Sequence, residues 1–391
     1  MRDFDFVNPT RIIFGKKSEE KVGDVLLGYG FKKILLVYGQ SSIKTTGLYD
    51  RVLEKLGEAG MIVKEYSGIT PNPELRFVKE CFKAAKDFQP DCILAVGGGS
   101  VIDVCKCVAA GYYYDGNPFD FNLKKVEPKK ALPLGVILTI AAAGSESSDS
   151  CVITDPDTMT KTGFNHPLNR PLFAIENPEL QYTLPQFQTG VGVADMLMHT
   201  MERYFGESED GLLCDVWALD LLKHVVDNAK IVCKNPTDYE GRAALLLDSS
   251  LCHNGITMIG KAKMPFVVHA LEHAISGYRP SVAHGAGIAI CYLGWAQYVC
   301  RKAARKFADL GRKLFNIDEQ NDEKAAIMGV DAMRDFYKSL GIPTTLKEVG
   351  ITEIDLPELA RLASGNGTRV IGSYPQPLNE QDIRAIYALC L

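Results

Sequence analysis

The chain has 391 residues, 46% hydrophobic and 23% charged, which suits two globular domains of ordinary size. A net charge of −5 leaves no basic surface to recommend nucleic acid or an anionic membrane as partner, and no apolar run reaches the ~18 residues of a membrane span. The eleven cysteines are odd in number and form no CxxC, so they read as reduced thiols in a cytoplasmic protein, not as a disulfide framework.

The N-terminal stretch MRDFDFVNPTRIIFG has no apolar core of the signal-peptide kind. ILLVY, from Ile34 to Tyr38, predicts a buried strand that ends in the turn Gly39-Gln40-Ser41-Ser42. LYDRVLEKLGEAG then reads as a helix and MIVKEYSG as a second strand. PELRFVKECFKAAKDF has helical spacing, and DCILAVGGGSVIDVCKCVAAG gives strand, glycine turn and helix. ALPLGVILTI, Ala131 to Ile140, is a further buried strand. Strand and helix alternating over short loops predict a parallel sheet covered on both faces. After about Pro185 the period becomes 3.6 throughout, in GVGVADMLMHTMERYF, CDVWALDLLKHVVDNAKIVC, GRAALLLDSSLCHNGI and later segments. The expected division is therefore a dinucleotide-binding α/β domain over 1–184 and a helical metal-binding domain over 185–391.

Three turns at strand ends are candidates for phosphate. In AVGGGSVIDVCK, Gly97, Gly98 and Gly99 follow a strand and Ser100 opens a helix. Glycines let a backbone approach a ligand closely, and the first N–H groups of a helix favour an anion. GGGS is not the GxGxxG fingerprint, and a plain tight turn is the competing reading. Tyr38 to Lys44 and Ala141 to Ser147 are the other two turns, and together the three favour a dinucleotide. The first turn has Ser41, Ser42 and Lys44 but no carboxylate before Asp50, which favours NADP(H) over NAD(H).

The chain has only seven histidines, and three fall in HALEHAISGYRPSVAHG. Asp195 and His199 stand at i and i+4, as do His269 and His273, so each pair shares a helix face. His284 follows a loop-like segment. A histidine on a helix is more often a surface or core residue than a ligand, and His166, His224 and His253 are read that way. Asp195 sits among Val, Ala, Met and Leu, where a carboxylate is costly without a partner. One carboxylate with imidazoles suits Fe²⁺ or Zn²⁺, whereas Mg²⁺ and Ca²⁺ prefer oxygen donors.

In family order stand FVNPTRIIFG, SGITPNP, GGGSVIDVCK, LTIAAAGSES, KTGF, the Asp-x3-His helix and H-x3-H-x10-H-G. On these the chain resembles the iron-containing (group III) alcohol dehydrogenases, in their butanol dehydrogenase and aldehyde reductase branch, over essentially its whole length. The resemblance implies an N-terminal hairpin at FVNPTRIIFG, a Rossmann-like α/β domain, an all-helical C-terminal domain of the dehydroquinate synthase-like fold, a cleft between them and a homodimer. It implies Asp195, His199, His269 and His284 as metal ligands, with His273 beside the nicotinamide as candidate proton relay. It implies Gly97, Gly98, Gly99 and Ser100 at the pyrophosphate, with Asn72, Asp103, Thr139 and Lys161 also around the cofactor. This sequence departs in having Leu138 before Thr139, in lacking a second threonine in IAAAGSES, and in the apolar KMPFVVHALEH leading to the first histidine.

The implied reaction is hydride exchange between nicotinamide C4 and a primary alcohol carbon, the metal acting as Lewis acid. Phe266, Val267 and Tyr278 are expected to give an apolar pocket for a small aliphatic alcohol or aldehyde such as butanal. A dehydroquinate synthase-like lyase would share the fold, metal and NAD. It would need basic residues to hold its substrate, and the Asp195 helix has none before Arg203.

Overall fold

The structure is a computed structural model that describes residues 1–206, 212–262, 266–372 and 374–391. Val7–Leu184 with Asn235–Asn254 form an α/β unit, and Met1–Phe6, Pro185–Lys234 and Gly255–Leu391 form a helical unit.

The α/β unit holds the strands β1 (Arg11–Phe14), β2 (Lys33–Tyr38), β3 (Ile62–Tyr66), β4 (Cys92–Gly97), β5 (Leu134–Leu138), β6 (Ser150–Asp155), β7 (Thr160–Asn165) and β8 (Phe173–Glu176). Its helices are α1 (Val22–Gly28), α2 (Ser42–Thr45), α3 (Leu48–Glu58), α4 (Leu75–Phe88), α5 (Gly99–Gly111) and α6 (Phe119–Asn122). Six strands form one parallel sheet in the order β1-β8-β5-β4-β2-β3. β2, β4 and β5 are unbroken apolar runs because a central parallel strand is covered on both faces. Ile34, Leu36, Leu94, Val96, Ile137, Phe173 and Ile175 share one core, each fully buried aliphatic side chain contributing ~1.5–3 kcal/mol. Gly135 of β5 lies in register with Phe173, and a Cβ there would come within 2.2 Å of that ring. The bare backbone makes room for the phenyl.

β2, first strand of the alternating run, lies between the second and the third, β3 and β4. The order is thus the flavodoxin type of doubly wound sheet, and its reversal falls between β2 and β4. The N-terminal hairpin expected at FVNPTRIIFG is absent: β1 is a single strand pairing parallel with β8, Arg11 opposite Phe173. The sheet-edge position uses its apolar side chains without a second strand. β6 and β7 form a separate antiparallel ribbon, Thr154 opposite Lys161. The sequence reading passed over that ribbon and β8, whose runs are short or threonine-rich.

The helical unit contains α7 (Gln186–Tyr204) and α8 (Leu213–Lys234); α9 (Tyr239–His253) belongs to the α/β unit. Then follow α10 (Val267–Tyr278), α11 (His284–Val299), α12 (Ala304–Phe315), α13 (Asp322–Ser339), α14 (Leu356–Ala363) and α15 (Glu380–Leu389). A helical period reports a helix but not the core it packs into, which is why α9 read as part of the helical half. Its start is fixed by Asp238, whose carboxylate accepts from the Gly241 N–H at 2.8 Å. Asn379 and Asp382 close a capping box at α15. The last carbonyls of α7 are held by Lys261, whose Nζ donates to the Arg203 oxygen at 2.7 Å. Among the described residues no helix is long and apolar enough to cross a membrane.

Candidate functional site

α7 carries Asp195 and His199 on one face, both buried within an apolar helix. His269 comes from the first turn of α10, and His284 is the first residue of α11. Gly285 is what lets α11 arrive: a Cβ there would lie 1.9 Å from the Val191 carbonyl oxygen of α7. Asp195 Oδ1 is the common centre, 3.1 Å from His199 Nδ1, 3.6 Å from His269 Nε2 and 3.8 Å from His284 Nε2. The donor atoms of Asp195, His199 and His269 all lie within 4.8 Å of one another. The His269 ring centroid is 4.4 Å from that of His199 and 5.5 Å from that of His284. His284 is the one partly open to solvent.

Each ring is held through Nδ1. That of His199 bonds the main-chain oxygen of Asp195 at 3.0 Å. That of His269 meets the Glu202 carboxylate, and that of His284 meets Glu272. Asp195 Oδ1 and His269 Nε2 are then left buried with no hydrogen-bond partner. Buried polar atoms are rarely orphaned, and a divalent cation between them would satisfy both. The carboxylate and imidazole donors therefore fit Fe²⁺ or Zn²⁺.

The electrostatics divide the cluster. Burial works to raise the Asp195 carboxyl, but His199 and His284 outweigh it and hold the group well below the usual range. Burial takes His199 down to about 4 against the pull of Asp195. Burial also works to lower His269, but Glu202 and Asp195 overcome it and raise the ring to about 9.

His273 stands beside the cluster, its ring centroid 6.3 Å from that of His269 and 6.0 Å from that of His284. Phe266 packs against two rings of the cluster, its centroid 5.3 Å from that of His269 and 6.2 Å from that of His199. Val267 is buried. Tyr278, expected in the same pocket, instead donates its hydroxyl to Asp355 at 2.7 Å from the far end of α10. Nine residues of helix separate it from His269, so nearness in sequence does not carry it to the rings. Of the apolar approach KMPFVVHALEH, residues 263–265 lie outside the described residues. His166 accepts from the Leu168 N–H, and His224 and His253 sit on α8 and α9.

The nucleotide candidates lie in the α/β unit, at the C-terminal ends of adjacent strands. Gly39, Gln40 and Ser41 follow β2, while Ser42 and Lys44 belong to α2; all but Gly39 are exposed. Lys44 Nζ lies over the rings of Tyr38 and Tyr49, 5.4 and 4.8 Å from their centroids. Gly97 ends β4, and Gly98 precedes α5, which starts with Gly99 and Ser100 and has no side-chain cap. A Cβ on Gly98 would come 2.4 Å from Ile140, so only glycine fits between this turn and the end of β5. Thr139 follows β5, its N–H donating to the Gly97 oxygen at 3.2 Å. Asp103 faces the third glycine turn, accepting from Ser145 Oγ at 2.7 Å and the Val152 N–H at 3.0 Å. Lys161 on β7 donates to Asn72 Oδ1 at 3.0 Å, and Asn72 takes a left-handed backbone with φ of 53°. The structure thus joins Lys161 to Asn72, and the end of β5 to that of β4.

Sequence reasoning missed Glu202 and Glu272. The available signal was a glutamate within an apolar helical run, three residues after His199 in one case and three after His269 in the other.

Residues 9–178 match the sequence model of the iron-containing alcohol dehydrogenases, and residues 188–391 match that family's C-terminal model. A probable NADH-dependent butanol dehydrogenase of Bacillus subtilis is 37% identical over 388 residues, 99% of each chain. An NADPH-dependent aldehyde reductase of Escherichia coli is 31% identical over 95% of each chain. The crystal structure of an NADH-dependent butanol dehydrogenase from Thermotoga maritima superposes with a TM-score of 0.95 at 34% identity, covering 100% of this chain and 99% of that one.

Proposed function

The chain belongs to the iron-containing alcohol dehydrogenase family, and we propose that it interconverts short-chain primary alcohols such as butanol with their aldehydes by hydride exchange with a nicotinamide nucleotide. The observation that carries this reading is the buried Asp195–His269 pair, whose facing atoms have no hydrogen-bond partner. Asp195, His199, His269 and His284 would hold the metal, Fe²⁺ foremost and Zn²⁺ second. When bound, the cation supplies Lewis acidity toward the substrate oxygen and the nucleotide supplies or accepts the hydride. Phe266 gives the site an apolar wall that excludes water and favours an aliphatic chain. His273 is placed to hold or pass on the proton of the alcohol hydroxyl. The glycine turn at Gly97–Gly99 and the uncapped start of α5 would receive the pyrophosphate. None of the eleven cysteines is in a disulfide and ten are buried, which supports a reducing, cytoplasmic setting. The edge position of β1, with Phe14 exposed, supports a homodimer.

Butanal-dependent loss of nicotinamide absorbance is expected from protein loaded with Fe²⁺ or Zn²⁺ and not from chelator-treated protein. No turnover with any metal, in protein that binds nucleotide, would remove the reductase reading.

The first turn supports NADP(H) as the preferred nucleotide. It carries an exposed lysine and no carboxylate, while Glu65 on the neighbouring β3 is engaged by the hydroxyls of Tyr38 at 2.8 Å and Tyr49 at 3.1 Å. Lys44→Ala is expected to raise KM for NADPH about tenfold, the worth of one phosphate contact, with little change for NADH. Equal changes for both nucleotides in steady-state kinetics would remove the 2′-phosphate role.

A further inference from the structure

We propose that Glu202 and Glu272 are positioning residues: Glu202 accepts a hydrogen bond from the Nδ1–H of His269 and Glu272 from that of His284, and each thereby turns Nε2 of its ring toward the metal. The inference rests on the metal-site reading above and adds two residues to it.

A neutral imidazole carries one N–H. An ionised carboxylate only accepts hydrogen bonds, so contact at Nδ1 fixes the proton there and leaves the lone pair on Nε2. The Nε2 atoms freed in this way are those that face Asp195 Oδ1, at 3.6 Å from His269 and 3.8 Å from His284. His199 differs: its Nδ1, bonded to the main-chain oxygen of Asp195, is also the atom that lies 3.1 Å from Asp195 Oδ1.

Both carboxylates are themselves held. Glu202 Oε1 accepts from the Val268 N–H at 2.5 Å and the His269 N–H at 3.4 Å, two of the unpaired donors at the start of α10. One side chain thus fixes the ring and the backbone of the same histidine. Glu272 is fully buried and its other oxygen accepts from Ser276 Oγ. Gly287 on α11 makes room for it, since a Cβ there would lie 2.8 Å from Glu272 Cγ. A carboxylate admitted at the expense of a side chain, and aimed at the far nitrogen of a metal-facing ring, has an orienting task.

The test titrates metal-free protein with Co²⁺ against a competing chelator, following the cobalt absorption bands, with melting of the metal-free form as the folding control. Glu202→Ala and Glu272→Ala are each expected to weaken Co²⁺ binding 10–100-fold. Glu272→Gln, whose amide oxygen still accepts from Nδ1–H while its NH2 can donate to Ser276 Oγ, is expected to recover most of it. Wild-type affinity in the folded alanine variants, or Glu272→Gln as weak as Glu272→Ala, would overturn the proposal. Should the alanine variants not fold, nitrogen NMR of histidine-labelled, Zn²⁺-loaded wild-type protein decides: both rings must carry the proton on Nδ1, and metal on Nδ1 of either overturns it. Failure of the wild-type protein to bind Co²⁺ would instead remove the metal-site reading itself, and the proposal with it.

Discussion

Asp195→Ala is expected to yield protein that retains no stoichiometric metal after dialysis and loses about a thousandfold or more in kcat/KM, some 4 kcal/mol of transition-state stabilisation. The reason is the shape of the cluster. Asp195 Oδ1 lies within 4 Å of a ring nitrogen of His199, His269 and His284, and Asp195 is the only carboxylate among the proposed ligands. Without it no carboxylate oxygen lies among the facing ring nitrogens to balance a dication. Elemental analysis with steady-state kinetics checks the metal and the rate, and nucleotide fluorescence checks that cofactor binding survives. That last readout should be unchanged, because the proposed nucleotide turns belong to the other unit. A variant that keeps full metal and full activity would refute the ligand assignment.

Glu176→Gln is expected to make the protein more stable near pH 8, by ~1–3 kcal/mol, and to leave it little changed near pH 4. Glu176 ends β8 fully buried, and its Oε2 has no partner. Its Oε1 lies 2.9 Å from Ser250 Oγ, which is also 2.7 Å from Glu146 Oε1. A serine hydroxyl has one proton to give, so the second short contact needs a proton on a carboxyl. Burial, with the adjacent Glu146 charge, accordingly pushes Glu176 well above the usual carboxylate range. An unfolded glutamate releases its proton above about pH 4.3, whereas the folded one keeps it. The stability from that retained proton is full below the unfolded value and is lost as pH rises through the folded one. Glutamine imitates the protonated acid at every pH and removes the slope. Denaturant midpoints at the two pH values measure the difference, and destabilisation of equal size at both would refute the account.

The candidate residues were unequally legible. The meeting of Asp195 with His199 was legible because helical spacing places i and i+4 on one face and a buried carboxylate demands a partner, whereas the choice of His284 over His273 came from the family resemblance. The glycine turns were legible as tight turns at strand ends because glycine admits close backbone approach. Glu202 and Glu272 were not, since a lone glutamate in a helix most often faces water. Only packing reveals that both turn inward. The fate of Tyr278 shows the same limit, its hydroxyl going to Asp355 along a helix whose rotation no spacing rule fixes. In the sheet, β2, β4 and β5 declared themselves by unbroken apolar runs. β8, four residues long, offered too little pattern, and β6 and β7 offered no unbroken apolar run because polar residues and glycine interrupt them.

The donors come from three helices, α7, α10 and α11, yet converge on one carboxylate oxygen. A cation held by them would close the long chain segment from His199 to His269 together with the shorter one on to His284, shrinking the unfolded ensemble as a covalent cross-link does. With none of the eleven cysteines in a disulfide, such a clip is a means of fastening helices that a reductant cannot undo. The unit that carries the chemistry would then be tightened by its own reagent, and stripping the metal would loosen three helices together.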